Sequence, residues 1–145
     1  MTNSGARILV KVLFLIYVGI VLFLCFFNFS DSGIELPLTF LGIPIDKVFH
    51  FLMFFPYPFI GWLLYRYSRH LGKYKEFALS MTFITGLLFA VATELAQKYI
   101  FTDRAGEFMD FVADVIGIII GSIIVKFIGE WMIKTIEKII PDKKQ

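Results

Sequence analysis

Apolar residues run along this chain in four long stretches separated by short charged connections. Residues 12–29 carry no charge, and residues 48–67 hold one acid or base, His50, before Arg66. Residues 77–93 are again uncharged and continue to about 101 through Glu94 and Lys98. A fourth stretch runs from about 108 to 126, with Asp110 and Asp114 near its start. Membrane barrel strands would instead alternate apolar and polar positions over about ten residues. A bilayer offers backbone amides no water, so an apolar span closes its own hydrogen bonds as a helix. About twenty helical residues cross a hydrocarbon layer of about 30 Å. The pattern predicts helices over about 8–29, 47–67, 76–101 and 108–128. That is an all-α integral membrane four-helix bundle, a single domain over 1–145.

Two features modify this outline. Pro56 and Pro58 fall near the middle of the second stretch, where proline removes a donor and kinks a helix. Past the fourth stretch, Lys126, Glu130, Lys134, Glu137 and Lys138 share one arc of a helix, with Trp131, Ile136, Ile139 and Ile140 elsewhere. An amphipathic extension over 129–140, lying along the cytoplasmic leaflet and ended by Pro141, fits those residues. A solubilising tail with i,i+4 charge pairs fits them equally.

Composition narrows the class further. Of 145 residues, 58% are hydrophobic and only 18% charged, with a mean hydropathy of +0.78. A soluble domain of this length has too little interior for so much apolar surface. Eighteen Phe argue against disorder, the single Cys25 against a disulfide framework, and a net charge of +2 against a nucleic-acid partner. Cys25 reads as a small apolar residue.

Lysine and arginine set the orientation. They mark the N-terminus (Arg7, Lys11), the second connection (Arg66, Arg69, Lys73, Lys75) and the C-terminus (Lys126, Lys134, Lys138, Lys143, Lys144). The first connection, 30–46, has acids but neither Lys nor Arg before Lys47. Both termini and the second connection are therefore expected in the cytoplasm of a bacterial cell, with the chain multi-pass in its cytoplasmic (inner) membrane.

Ionisable groups inside spans are costly and mark function, so their placement matters. Asp46 and His50 sit at the outer end of the second helix, Glu94 and Gln97 at that of the third, and Asp110 and Asp114 at that of the fourth, just after Arg104. Asp110, Asp114, Gly117 and Gly121 follow i, i+4, i+7, i+11, a single stripe whose glycines admit a neighbouring helix. Gly86, Ala90, Glu94 and Gln97 repeat the arrangement on the third helix, while Asp46, His50, Met53 and Tyr57 share a face of the second. Three helices thus direct polar groups inward at one depth. Glu94, Asp110 and Asp114 outnumber Arg104, so a proton, a cation or protonated His50 must balance the surplus acid.

Taken together, Asp46-Lys47-x-x-His50-Phe51, Glu94-x-x-Gln97, Arg104, Asp110-x-x-x-Asp114 and Gly117-x-x-x-Gly121 resemble the VanZ-like membrane proteins, over roughly 44–122. Two positions depart from that family's pattern: Thr102-Asp103 stands where Pro-Gly is frequent, and Asp114 where Asn is frequent. The resemblance implies four helices and a cell-envelope role linked to antibiotic resistance, low-level resistance to the glycopeptide teicoplanin in the family's name member. It implies no reaction, and whether the chain is an enzyme stays open.

Each candidate carries a plainer alternative. His50, Glu94, Asp110 and Asp114 are the candidate catalytic groups; Asp46, Gln97, Arg104 and Tyr57 are the candidate substrate-binding groups. Asp46 also suits a helix cap, with Lys47 at the headgroups. Glu94 and Gln97 also suit interhelical hydrogen bonds, and Arg104 suits either a phosphate or the neighbouring carboxylates. Gly86, Gly117 and Gly121 are assigned to packing. One histidine in the cluster and no His-Glu-x-x-His give no zinc signature, although an oxygen-rich calcium or magnesium site is conceivable. No metal and no cofactor are assigned.

Three functions compete. The first is binding or modifying a lipid-linked or peptidoglycan-related molecule from the outer leaflet. The second is a proton- or cation-coupled small transporter, for which no inverted repeat is visible. The third is a non-catalytic helix-packing or partner-binding protein. Expected partners are membrane lipids, a lipid-linked envelope precursor and further copies of the chain in a homo-oligomer.

Overall fold

The computed structural model describes residues 3–26, 39–68, 74–99 and 107–141. Helix α1 (Ser4–Phe26) is followed by a short hairpin, β1 (Thr39–Phe40) and β2 (Ile43–Pro44), and then by α2 (Ile45–Phe54) and α3 (Tyr57–Arg66). Helices α4 (Lys75–Tyr99) and α5 (Phe108–Ile139) complete the bundle. Four helical segments are long and apolar enough to cross a membrane: α1, α2 with α3, α4, and α5. The all-α membrane bundle expected from the hydrophobic pattern is what the chain forms.

The second span is interrupted by a two-residue turn at Phe55–Pro56, whose backbone stays right-handed (φ −57°, ψ −40° and φ −73°, ψ −18°). Pro56 and Pro58 supply no N–H to the helical ladder, so its hydrogen bonds lapse there, as expected of a proline kink. Around the break, the Phe59 and Ile60 amides both return to the Pro56 carbonyl. Tyr17 of α1 donates its hydroxyl to the Met53 carbonyl one residue before the end of α2. A side chain from another helix thus braces the last turn of α2, between Leu52 and Phe54, the two residues to whose carbonyls Pro56 and Pro58 cannot donate.

Helix α5 lies closest to α2, and glycine makes that approach possible. A Cβ at Gly117 would stand 2.8 Å from the Phe51 carbonyl oxygen, and one at Gly121 would stand 2.6 Å from that of Phe55. Gly86 of α4 faces the Tyr57 ring in the same manner, with 3.0 Å to its nearest carbon. The predicted stripe Asp110, Asp114, Gly117, Gly121 is buried throughout and continues through Val125, Gly129 and Ile133. Residues 129–139 extend α5 without interruption, and Ile140 caps it. Within them Gly129 meets the Trp62 ring, and Ile133 joins a core cluster with Trp62, Leu63 and Val125. Glu130 pairs with Arg66 at 3.2 Å, and the Arg66 guanidinium also lies over Trp62. The first half of the extension is therefore packed on α3.

At the far end of the bundle from β1 and β2, Asn3 caps α1 by accepting the Ala6 amide at 3.0 Å and donates to the Ile140 carbonyl. The second of these contacts brings the start of α1 and the end of α5 together. The opposite end carries α2's first turn, the last turn of α4 and the first turn of α5. The hairpin there turns through Leu41 (φ 50°) and Gly42 (φ 80°), both in the left-handed region that a two-residue antiparallel turn requires. Leu41, an unfavoured residue for that geometry, is 89% exposed.

Candidate functional site

Helix geometry delivers the polar groups to one place. His50 stands one turn below Lys47 on α2, Glu94 lies in the last third of α4, and Asp110 and Asp114 occupy the first two turns of α5. Because α2 and α5 touch at Gly117, the side chains just above that contact face one another across the interface. His50 Nδ1 lies 3.0 Å from Asp114 Oδ1 and 3.5 Å from Glu94 Oε1; His50 Nε2 lies 3.9 Å from Asp110 Oδ2. Only the first is a hydrogen-bond distance with a bond formed. An ionised Asp114 makes Nδ1 the donor in that bond. The four residues proposed as reactive groups are thus brought together around one imidazole.

Burial at this point is deep. Asp114 is fully buried and has no hydrogen bond to Oδ2 among the described residues; Glu94 Oε1 is likewise buried without one. Leaving such oxygens dry is expensive, about 1–3 kcal/mol each and more when charged. Counter-charge comes from a residue that sequence reasoning sent to the headgroups. Lys47 reaches across the top of the cluster, with Nζ 2.6 Å from Asp110, 2.7 Å from Glu107 and 2.8 Å from Asp46. Its side chain is only 14% exposed. A lysine at a helix entrance reads by default as a snorkelling residue; the signal that could have revealed it was its place one turn before His50, facing the start of the acidic helix.

The remaining candidates divide. Asp46 accepts the Lys47 amide at 2.9 Å and is largely exposed, as suits a first-turn carboxylate, although Pro44 holds the cap position. Gln97 turns from α5 and donates Nε2 to the Cys25 carbonyl at 2.9 Å, linking α4 to α1. Tyr57 lies at the start of α3, below the cluster, with its hydroxyl on Thr85 Oγ1 at 3.0 Å and its ring beside Gly86. It belongs to the aromatic core. Arg104 lies outside the described residues.

Beside Glu94 the α4–α5 interface opens into a groove of about 260 Å³, lined by Val91, Glu94, Leu95, Lys98, Glu107, Phe108 and Phe111. It is polar where it meets the cluster and apolar along its flanks, and it opens sideways between two spanning helices.

Four membrane-crossing segments around a buried set of carboxylates and one imidazole define a small multi-pass membrane protein with a polar centre near one end. The family model described as VanZ/LLP1 matches residues 14–129, most of the chain, and the protein belongs to that family. No curated protein and no solved structure matches it.

Proposed function

We propose that this protein binds, at the outer leaflet of the bacterial cytoplasmic membrane, the polar head of a lipid-linked or peptidoglycan-related molecule. His50, Glu94, Asp110 and Asp114 are the groups that contact or modify it. One observation carries this reading: the groove between α4 and α5 joins an apolar wall, Val91, Leu95, Phe108 and Phe111, to Glu94 at the edge of the buried cluster. A lipid tail alongside the helices and a polar head at Glu94 match that division. Lys98 and Glu107 at the rim offer charges of both signs to the head. The excess of lysine and arginine at the other end supports an orientation with both termini in the cytoplasm and the cluster outside.

The test is native mass spectrometry of the protein extracted with its own lipids, comparing Glu94→Gln, Asp110→Asn and His50→Asn with the unaltered chain. Retention of an envelope lipid that all three variants lose while remaining folded supports the proposal; equal retention overturns it. Asp46→Cys and Glu107→Cys, labelled by an impermeant reagent on whole cells, test the orientation.

A second reading has its own support. Lys47 and His50 tie α2 to α5 through Asp110 and Asp114, which is also what a purely structural lock would do. Variants that unfold, rather than losing lipid while folded, favour that lock.

A further inference from the structure

We infer that His50, Glu94 and Asp110 form a site for one divalent transition-metal cation of the zinc or manganese kind. One ligand-type atom from each of the three residues lies within 4.8 Å of the others. Nitrogen and oxygen ligands stand about 2.0–2.2 Å from such an ion and therefore about 3.0–3.5 Å from their neighbours on the sphere. Side-chain shifts of about an ångström close the site.

The histidine is already prepared. Asp114 holds Nδ1 at 3.0 Å, the arrangement in which a carboxylate fixes the tautomer of a metal-bound imidazole through its far nitrogen. Nε2 then faces Asp110 Oδ2 at 3.9 Å, too far for a hydrogen bond, and Glu94 Oε1, 3.5 Å from Nδ1, swings toward Nε2 to share the ion. The Asp110 side chain is nine-tenths buried, and the buried oxygens Glu94 Oε1 and Asp114 Oδ2 have no hydrogen bond among the described residues. Lys47 is shared with Asp46 and Glu107, so three carboxylates around a histidine need a proton or a cation besides it for balance.

A second group of donors, Asp46, Glu107 and Asp110, converges equally well. It is filled already, because the Lys47 ammonium sits within 2.8 Å of all three. Asp110 is shared, with Oδ1 on the ammonium and Oδ2 toward His50. The unfilled position is the one with an imidazole, which favours zinc or manganese over magnesium and calcium with their oxygen-only shells. Glu94 also borders the groove, giving the ion an open side.

The experiment uses the whole chain in detergent, stripped with a chelator and titrated with zinc, manganese or magnesium chloride alone, so that no lipid enters the result. One equivalent of zinc or manganese is expected to bind at least tenfold more tightly than magnesium. His50→Gln, Glu94→Gln and Asp110→Asn should each weaken binding at least tenfold, and Asp46→Asn and Glu107→Gln by less than threefold. Pulsed electron paramagnetic resonance of the manganese-loaded unaltered protein should resolve one imidazole nitrogen, retained in His70→Gln, which guards against variants that fail to fold. Absence of a stoichiometric ion, magnesium binding as tightly, indifference of folded His50, Glu94 and Asp110 variants, or a spectrum without nitrogen coupling would each overturn the inference.

Discussion

The ammonium of Lys47, on the first turn of α2, lies 2.6 Å from Asp110 Oδ1 on the first turn of α5, and both side chains are largely withdrawn from solvent. Removing one partner of a buried pair strands the other, at about 3–5 kcal/mol. Lys47→Met is therefore expected to lower stability by about 3 kcal/mol, and adding Asp110→Asn should restore a large part of it. Thermal unfolding of both variants in one detergent measures the coupling; simple additivity would show that the pair contributes nothing.

The close approach of α2 and α5 makes an opposite demand, for the absence of a side chain. Gly121→Ala places a methyl group 2.6 Å from the Phe55 carbonyl oxygen, a backbone atom that cannot rotate away. A loss of about 1–3 kcal/mol is expected, as for overpacked cores. Gly19→Ala, with nothing within 4 Å, serves as the comparison and should be neutral or slightly stabilising. Equal melting temperatures for the two variants would contradict the tight interface.

Asp114 separates structure from chemistry. Asp114→Asn keeps an oxygen that can accept from His50 Nδ1 while removing a buried charge, so the folded state should be retained. Asp114→Ala leaves the imidazole without its 3.0 Å partner and should cost about 1–3 kcal/mol. Melting curves give the second effect. Lipid retention tests the first, with Asp114→Asn expected to reduce it although the protein remains folded.

Tyr17→Phe deletes only the hydroxyl that meets the Met53 carbonyl. Loss of that hydrogen bond should lower stability by about 1 kcal/mol. Hydrogen exchange near Phe55–Pro56 should rise with it; unchanged exchange would mean that α1 does not support the break.

Much of this was legible in the residues themselves. Charge-free runs gave the four spans because hydrocarbon tolerates little else, and the i, i+4, i+7, i+11 spacing of Asp110, Asp114, Gly117 and Gly121 gave the buried face of α5. The convergence of His50 with Glu94, Asp110 and Asp114 followed from equal depth on three helices. Lys47 was not legible in this role, because its partners stand on α5, far along the chain. Gln97 makes the interhelical hydrogen bond that was its plainer alternative, but its partner, the Cys25 carbonyl of α1, was not legible because it too stands far along the chain. The hairpin at Leu41–Gly42 went unread within a connection taken only for its charge, although Gly42 between Phe40 and Ile43 was the available sign.

The clasp between Asn3 and Ile140 has a practical corollary. A fluorescent protein or affinity handle attached beyond either residue would emerge at the pole remote from Lys47 and His50. Sensors mounted there report abundance in living cells and leave the polar pole unobstructed.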